Sequence, residues 1–369
     1  MDFFPLNIAS GKAFCNRKQE LAYLGSNIEQ AKPTLLISPR RYGKTSLALN
    51  AITQSKKPFA HIDFLSAINE EDIEKKVLKG AGELISKIEP GIRKAIKLAT
   101  DLFSGLDIKV NFGKIGIAID LARPQNKPSD TILLILDRIA YLSQKYDKKV
   151  VLFFDEFQRL GEVTADHAIE SVMREVAQKS KNIMFIFSGS TRHLLHQMFD
   201  DRNKPFYKLC DRMVLDRIAA VEYTKYIQHA AKLTWSESLD TLAIDAIMQC
   251  TERHPYYVNL LCSKLWKHIA PDRKQVIQIW QDYVIAERSQ VANDVELLSK
   301  NQRKLLSVLA RFDGTDAPRS REFEQKADMS GTSIGQALAF LEKYDFVFKN
   351  EIGCYSVLDP LVKAVLAGE

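Results

Sequence analysis

Three consecutive residues, Gly43, Lys44 and Thr45, combine the groups that a protein loop needs to hold a phosphate. The glycine lets the backbone turn its N–H groups toward an anion, the lysine reaches β- and γ-phosphate oxygens, and the threonine hydroxyl coordinates Mg²⁺. The motif G-x-x-x-x-G-K-[ST] fits this segment except at its first glycine, where the chain has Ser38 followed by Pro39. The spacing predicts a phosphate-binding loop for a nucleoside triphosphate, with the tightness of its first turn in question.

The segments on either side of this loop predict the elements that hold it. Leu35, Leu36 and Ile37 form a short apolar run that predicts a strand buried on both faces. The residues from Lys44 to Ala51 predict a helix, whose first turn adds unpaired N–H groups and the positive end of its dipole. An ordinary strand–loop–helix corner is the alternative interpretation of this segment taken alone.

A second segment supplies carboxylates. Val150–Phe154 is a run of five apolar residues that predicts a buried strand, and Asp155 and Glu156 follow it directly. Asp155 is placed to hold the Mg²⁺ shell, and Glu156 to polarise the water that attacks the γ-phosphate. Taken alone, the segment also fits a strand that ends in a solvated acidic turn.

A third apolar run, Ile183–Phe187, ends in hydroxyl groups and a guanidinium at Ser188–Arg192. The carboxyl ends of the strands of a doubly wound sheet converge on one crevice, where ligands bind. We therefore expect the phosphate loop, the two carboxylates and this third segment to meet there, with Ser190 or Arg192 sensing the γ-phosphate.

Together these motifs resemble the AAA-type ATPases that are common in archaea and also found in bacteria, within the class of signal-transduction ATPases with numerous domains (STAND). Residues 14–21 are similar to the family's F-x-[GN]-R-x-x-E-L box, and residues 39–47 to its PRRxGKTSL loop. DEFQ at 155–158, SGS at 188–190 and HPYY at 254–257 resemble its acidic motif, sensor strand and lid turn. The resemblance implies an α/β fold: a P-loop NTPase doubly wound parallel sheet of AAA type, with a helical lid domain and a C-terminal winged-helix domain.

The resemblance also implies ATP or ADP as the ligand, with Mg²⁺, and assigns residues to each task. In this family the first box lies beside the adenine base, and the lid proline approaches the nucleotide. The implied catalytic residues are Lys44, Glu156, Ser190 and Arg192, and the implied Mg²⁺ ligands are Thr45 and Asp155. The implied nucleotide contacts are Asn16, Arg17, Ser38, Pro39, Arg40, Arg41, Tyr42, Gly43, Lys44, Thr45, Ser46, His254 and Pro255.

The chain departs from the family pattern at the position of a possible arginine finger. Relatives often place an arginine just after the proline and tyrosine that are Pro205 and Tyr207 here. This chain has Lys208 and Leu209 instead, and its next arginine is Arg212. The sequence therefore leaves the identity of an arginine finger open.

Periodicity divides the chain into three predicted domains: residues 1–218 as the α/β ATPase core, 219–295 as the helical lid and 296–369 as the winged helix. An insertion at about 66–130 is expected to form an amphipathic helix interrupted at Pro90-Gly91 and then a β-hairpin around Gly113–Gly116. Strands are predicted at Leu35–Ser38, Ala60–Phe64, Val150–Phe154, Ile183–Phe187 and Met213–Leu215. The winged helix is expected to comprise helices at Gln302–Ala310, Arg321–Ala327 and Thr332–Lys343 and a wing turning at Asn350–Gly353.

The charge of the last segment bears on DNA binding. Residues 297–369 hold ten Lys or Arg and ten Asp or Glu, and the whole chain carries a formal net charge of only +6. Nucleic-acid-binding domains usually present a basic face, because neutralising phosphates supplies much of the affinity. We therefore favour packing of this segment against the ATPase core and keep DNA contact as the alternative.

Composition is that of a cytoplasmic protein. The five cysteines, at 15, 210, 250, 262 and 354, show no C-x-x-C spacing, so neither a disulfide framework nor a zinc site is expected. The longest apolar runs are far shorter than a membrane span, and the first residues lack the basic start of a signal peptide. We expect no membrane partner.

The function predicted from the sequence is hydrolysis of Mg-ATP as a conformational switch, acting on a protein partner or through self-association. Two alternatives remain: a nucleotide-gated binding module with negligible hydrolysis, suggested by Ser38 and the missing arginine beside Tyr207, and a DNA-associated ATPase. The sequence leaves the partner, the pathway and the oligomeric state open.

Overall fold

The fold is described from a computed structural model, which covers residues 3–89, 91–104, 108–113, 116–121, 127–164, 166–350 and 353–368. The chain divides into two compact units. The sheet unit comprises Arg17–Arg40 and Lys44–Leu215, and the helical unit comprises Met1–Asn16, Arg41–Gly43 and Asp216–Glu369.

The sheet unit contains a five-stranded parallel sheet with the strand order β2-β5-β6-β1-β7 and a separate antiparallel hairpin, β3-β4. Helices connect the parallel strands, so the α/β doubly wound fold predicted from the sequence is confirmed. The strands are β1 (Thr34–Ile37), β2 (Phe59–Asp63), β3 (Ile108–Gly113), β4 (Gly116–Leu121), β5 (Val150–Asp155), β6 (Ile183–Gly189) and β7 (Asp211–Val214). The helices are α1 (Lys18–Gln30), α2 (Lys44–Ser55), α3 (Glu70–Ile88), α4 (Ile92–Leu102), α5 (Pro128–Lys145), α6 (Gln158–Val163), α7 (Ala168–Lys179) and α8 (Arg192–Asp200).

The middle strands form the centre of the core. Every residue of β1, β5 and β6 is buried, as expected for parallel strands covered on both faces. Aromatic side chains fill the space beside β5 and β6, with Phe157 in contact with Phe154, Phe187 and Phe206. This packing fixes the carboxyl ends of the two strands relative to each other.

Between β2 and α5, the described residues form two helices and an antiparallel hairpin. α3 begins at an Asn69 cap, whose side chain accepts a hydrogen bond from the backbone N–H of Asp72, and α4 follows α3. β3 and β4 pair in an antiparallel register, and Ile117 donates its N–H to Ser86 Oγ on α3 at 2.8 Å. Pro90 and the hairpin turn at 114–115 lie outside the described residues.

The bounds of all five predicted strands of the parallel sheet shift by one or two residues at one or both ends. β1 ends at Ile37, so Ser38 belongs to the loop, and the last strand starts at Asp211 rather than Met213. The polar residues at the start of β7 were not recognised as strand because β7 is an edge strand, where polar side chains reach solvent or partners from other elements.

After the Met1–Asn16 and Arg41–Gly43 segments, the helical unit has four helices, then three further helices, an antiparallel hairpin and a last helix. α12 is the longest, and Asp272 and Gln275 form a capping box at its start. The C-terminal helix was not among the predicted elements. The elements are α9 (Ala220–Trp235), α10 (Thr241–Thr251), α11 (Pro255–Leu265), α12 (Arg273–Glu296), α13 (Lys300–Arg311), α14 (Arg321–Ala327), α15 (Gly331–Lys343), β8 (Val347–Lys349), β9 (Tyr355–Val357) and α16 (Pro360–Ala367).

Candidate functional site

The phosphate-loop lysine is buried against its own loop. Lys44 is the first residue of α2, and its Nζ donates to the backbone oxygens of Ser38 at 2.8 Å and Pro39 at 3.0 Å. Arg41 and Gly43 have φ values of +64° and +87°, the left-handed conformation that lets a loop turn successive N–H groups inward. The loop therefore has the bend that an anion cradle requires.

Ser38 fits the position of the first glycine without backbone strain. It is fully buried and is not among the residues with positive φ, so a side chain is tolerated there. Its hydroxyl lies 3.4 Å from Lys44 Nζ, beyond the two closer carbonyl contacts of that lysine. The first turn of the loop therefore does not depend on the conformational freedom of glycine.

Thr45, in the first turn of α2, contacts Asp155, the last residue of β5. Thr45 Oγ1 donates to Asp155 Oδ2 at 2.6 Å, and the hydroxyl of Ser188 at the end of β6 donates to Oδ1 of the same carboxylate. The backbone N–H of Glu156 also reaches Oδ1, at 3.1 Å, and His61 Nε2 lies 3.5 Å from Oδ2. Asp155 is only 5% exposed, so these neighbours define its environment.

This environment keeps Asp155 ionised. Burial raises the pKa of the carboxyl group, but the nearby His61 imidazole and the hydrogen bonds from Ser188 and Thr45 outweigh it, and the pKa lies below its ordinary value. A carboxylate oxygen and a hydroxyl oxygen side by side are the hard ligands that Mg²⁺ takes, usually together with substrate phosphates. The donor set of Thr45 and Asp155 therefore fits a magnesium ion.

Glu156 is oriented by two donors. Its backbone has φ +50°, and its Oε2 accepts hydrogen bonds from Gln158 Nε2 at 2.5 Å and Ser190 Oγ at 2.9 Å. Ser190, which was predicted to sense a γ-phosphate, thus contacts the predicted catalytic carboxylate. Arg192 begins α8 two residues further along.

Three polar residues of this site had no role assigned from the sequence. Gln158 stood within the DEFQ motif and Ser188 within the SGS motif, so their positions were marked. His61 lies on β2 and stacks on Phe153 with ring centroids 4.7 Å apart. No sequence signal identified it, because its contact with Asp155 depends on the pairing of β2 with β5.

In the helical unit, Tyr42 and His254 are in contact. Their ring centroids lie 4.9 Å apart, and the Arg41 guanidinium lies 4.1 Å from the ring centroid of Tyr256. His254 caps α11, and Pro255 is the first residue of that helix. Burial, reinforced by the charges of Arg217 and Arg41, lowers the pKa of His254 to about 3, so the imidazole is neutral at physiological pH.

The remaining predicted nucleotide contacts are spread along the chain. Asn16 and Arg17 both adopt left-handed backbone conformations, and Arg17 is buried with its guanidinium 2.9 Å from the Glu20 carboxylate. Pro39 and Ser46 are buried, whereas Arg40 is exposed. Asn16 belongs to the helical unit and Arg17 to the sheet unit.

Arg212, the first arginine after the expected finger position, is held within the sheet unit. It forms an ion pair with Asp200 and donates to the backbone oxygen of Phe199 at 3.1 Å. The identity of an arginine finger stays open.

Nowhere in the described part of the chain do three or more His, Cys, Asp or Glu side chains cluster in a way that could hold a metal ion. None of its helices is both long and apolar enough to cross a membrane.

Known structures share this architecture. The chain is similar to the Walker-type ATPase PABY2304 of Pyrococcus abyssi, with 17% identity over 99% of each chain and a TM-score of 0.70. It is also similar to the Aeropyrum pernix ORC2 protein in ADPNP-ADP complexes, with 14% identity, a TM-score of 0.60, and coverage of 95% of this chain and 92% of that one. At these identities the likeness shows the fold alone: a P-loop ATPase fold of AAA type.

No curated protein matches the chain. A family model, however, does match its sequence. The model of a family described as an ATPase domain predominantly from Archaea matches residues 14–214, more than half of the chain. The chain therefore belongs to this family of ATPases.

Proposed function

We propose that the chain hydrolyses Mg-ATP as a conformational switch, with Lys44, Thr45, Asp155 and Glu156 at the reacting centre. The observation that carries this proposal is the contact between Thr45 and Asp155 at 2.6 Å, next to a second carboxylate that two donors hold in place. A hydroxyl, an ionised carboxylate and an oriented carboxylate are the side chains that phosphoryl transfer to water needs.

Each residue has a separate task in this reaction. Water oxygen attacks the γ-phosphorus, the bond to the β–γ bridging oxygen breaks, and ADP and phosphate leave. Glu156 orients the water and takes its proton, and Lys44 and the loop N–H groups stabilise negative charge on the transferred phosphoryl group. Thr45 and Asp155 would hold a magnesium ion, which would neutralise further charge on the phosphates.

Binding of ATP would change the hydrogen bonds of Lys44. Its Nζ lies within 3.0 Å of two loop carbonyl oxygens, which are weaker partners for an ammonium group than a triphosphate. Exchange of these carbonyls for phosphate oxygens would free the loop backbone at Ser38 and Pro39. We propose this exchange as the first event of the switch, with Asn16, Arg17, His254 and Pro255 as further nucleotide contacts.

The C-terminal segment is proposed to be a winged helix that serves the switch. The order of α13, α14, α15 and the β8-β9 hairpin supports this assignment. A relative of known structure, Aeropyrum pernix ORC1, was solved in complex with DNA, with 11% identity and a TM-score of 0.50. The balanced charge of residues 297–369 does not favour DNA here, so we propose a protein partner or self-association, in the cytoplasm, as in STAND ATPases.

Two variants test this function. Lys44→Ala is expected to weaken ATP binding at least 100-fold, measured by calorimetry, because it removes the lysine with which this loop motif reaches the β- and γ-phosphates. Glu156→Gln is expected to bind ATP as tightly as the parent and to remain loaded with it.

The loaded Glu156→Gln protein then tests the switch itself. Amide hydrogen exchange is compared between this variant with Mg-ATP and the parent with Mg-ADP. We expect protection to differ in the Ser38–Gly43 loop and in at least one element of the helical unit. Identical exchange in the two states would contradict a conformational switch, whatever the rate of hydrolysis.

A further inference from the structure

Gln158 is buried directly beside the proposed catalytic carboxylate. It is the first residue of α6 and only 4% exposed, and its Nε2 donates to Glu156 Oε2 at 2.5 Å. The hydroxyl of Ser190 donates to the same oxygen at 2.9 Å. Within the part of the chain that the structure describes, Glu156 Oε1 accepts no side-chain hydrogen bond, so the donors hold one oxygen and leave the other for water.

The carboxylate determines which way the Gln158 amide points. Gln158 Oε1 is buried and has no hydrogen-bond partner among the described residues. Rotating the amide by half a turn would place this oxygen against the Glu156 carboxylate, where acceptor would face acceptor. The NH₂ group of Gln158 thus faces Glu156 although this leaves the Gln158 oxygen unpaired. Packing of α6 alone does not explain this orientation.

A glycine on the neighbouring strand makes room for this arrangement. A Cβ atom added at Gly189, the last residue of β6, would lie 2.1 Å from Gln158 Oε1 and 3.0 Å from Leu195 Cδ1. No side chain fits there unless the amide moves. The conformation of Gln158 therefore depends on the absence of a side chain at position 189.

We propose that Gln158 is a positioning residue for ATP hydrolysis, which fixes Glu156 so that its Oε1 faces the attacking water. The inference rests on the proposed role of Glu156. Gln158 itself contacts neither substrate nor the reacting atoms, and it acts through one charge-assisted hydrogen bond. Its loss is expected to lower kcat about tenfold, equivalent to about 1.4 kcal/mol in activation free energy.

Gln158→Met separates this role from a structural one. Methionine keeps the length and the apolar body of the side chain but removes both the donor and the unpaired oxygen. Removal of a buried unpaired polar atom should leave stability equal or higher. If Gln158 only filled space in the core, kcat of the variant would therefore be unchanged. We expect lower kcat, KM and ATP affinity within twofold of the parent, and no loss of stability to urea.

The control is Gln278→Met. Gln278 on α12 donates to the Asp282 carboxylate at 2.8 Å, the same type of hydrogen bond, but on an exposed surface of the helical unit. This variant is expected to hydrolyse ATP at the parental rate. Gln158→Leu, a smaller apolar replacement, serves if Gln158→Met does not fold.

Measurements in the Glu156→Gln background complete the test. If Gln158 acts through Glu156, the double variant Glu156→Gln/Gln158→Met has the same residual kcat as Glu156→Gln alone. A kcat within twofold of the parent for the Gln158 variants, a further fall in the double variant, or a fall in kcat accompanied by weaker ATP binding overturns the inference. A Glu156→Gln protein that turns over at the parental rate refutes the proposed function instead, so the two failures are distinguishable.

Discussion

Arg217 joins distant parts of the helical unit, and its replacement is expected to destabilise that unit. Its guanidinium donates to Glu252 Oε2 at 2.7 Å, to the Glu252 backbone oxygen at 3.0 Å and to the Leu358 backbone oxygen at 2.8 Å. Nε also lies 3.4 Å from the Tyr42 hydroxyl. One side chain therefore links the end of α10, the segment before α16 and the Arg41–Gly43 segment.

The size of the effect follows from these contacts. Removing one partner of a buried ion pair costs about 3–5 kcal/mol in free energy of unfolding. The Arg217 and Glu252 side chains are 14% and 22% exposed, and Lys363 remains 2.5 Å from Glu252 Oε1 as a second cation. Arg217→Met, which keeps the apolar stem, is therefore expected to cost less, about 2–3 kcal/mol.

Urea unfolding followed by tryptophan fluorescence measures this change selectively. All three tryptophans, Trp235, Trp266 and Trp280, lie in the helical unit, so their emission reports on the unit that contains Arg217. The control is Lys225→Met, which removes an exposed pair with Glu222 at 3.2 Å and should cost about 0.5 kcal/mol or less. A change below about 1 kcal/mol for Arg217→Met, or one no larger than the control, would show that Arg217 does not stabilise the helical unit through these contacts.

Two further predictions concern the sheet unit. The Tyr23 hydroxyl, with Lys32 and Asn27, lowers the pKa of Asp211 to about 2. The stability that the ionised Asp211 contributes is therefore present above pH 4 and is lost as pH falls toward 2. The difference in unfolding free energy between parent and Asp211→Asn should shrink between pH 5 and pH 3, and a constant difference speaks against this pair. Ser38→Gly should leave the Kd for ATP within threefold and lower stability by roughly 0.5–1 kcal/mol, because the position needs no glycine; a large gain in affinity would show that the serine impairs the loop.

The elements that carry the site were predictable where local sequence decides them. β5 and β6 are continuous apolar runs, and such runs have to be buried whatever surrounds them. β7 begins with Asp211 and Arg212, whose partners Tyr23 and Asp200 lie elsewhere in the chain. Its start could not be predicted, because those partners exist only after folding.

The same distinction holds within the site. The phosphate loop and the Asp155-Glu156 pair follow from residue type and spacing, since the chemistry requires them in that order. The contact between Gln158 and Glu156 has a marked position but depends on the absence of a Cβ atom at Gly189, on another strand. Ser38 presented the opposite case: the sequence suggested a disturbed turn, and the backbone shows none.

Phosphate release at saturating Mg-ATP, measured side by side for the parent and Glu156→Gln, tests the central claim most directly. We expect steady, slow release by the parent and at least a 100-fold lower rate for the variant, with equal ATP affinity in both. Equal rates in the two proteins would remove Glu156 from the reaction. Negligible release by the parent, despite tight ATP binding, would instead identify a nucleotide-gated binding module and contradict hydrolysis at this site.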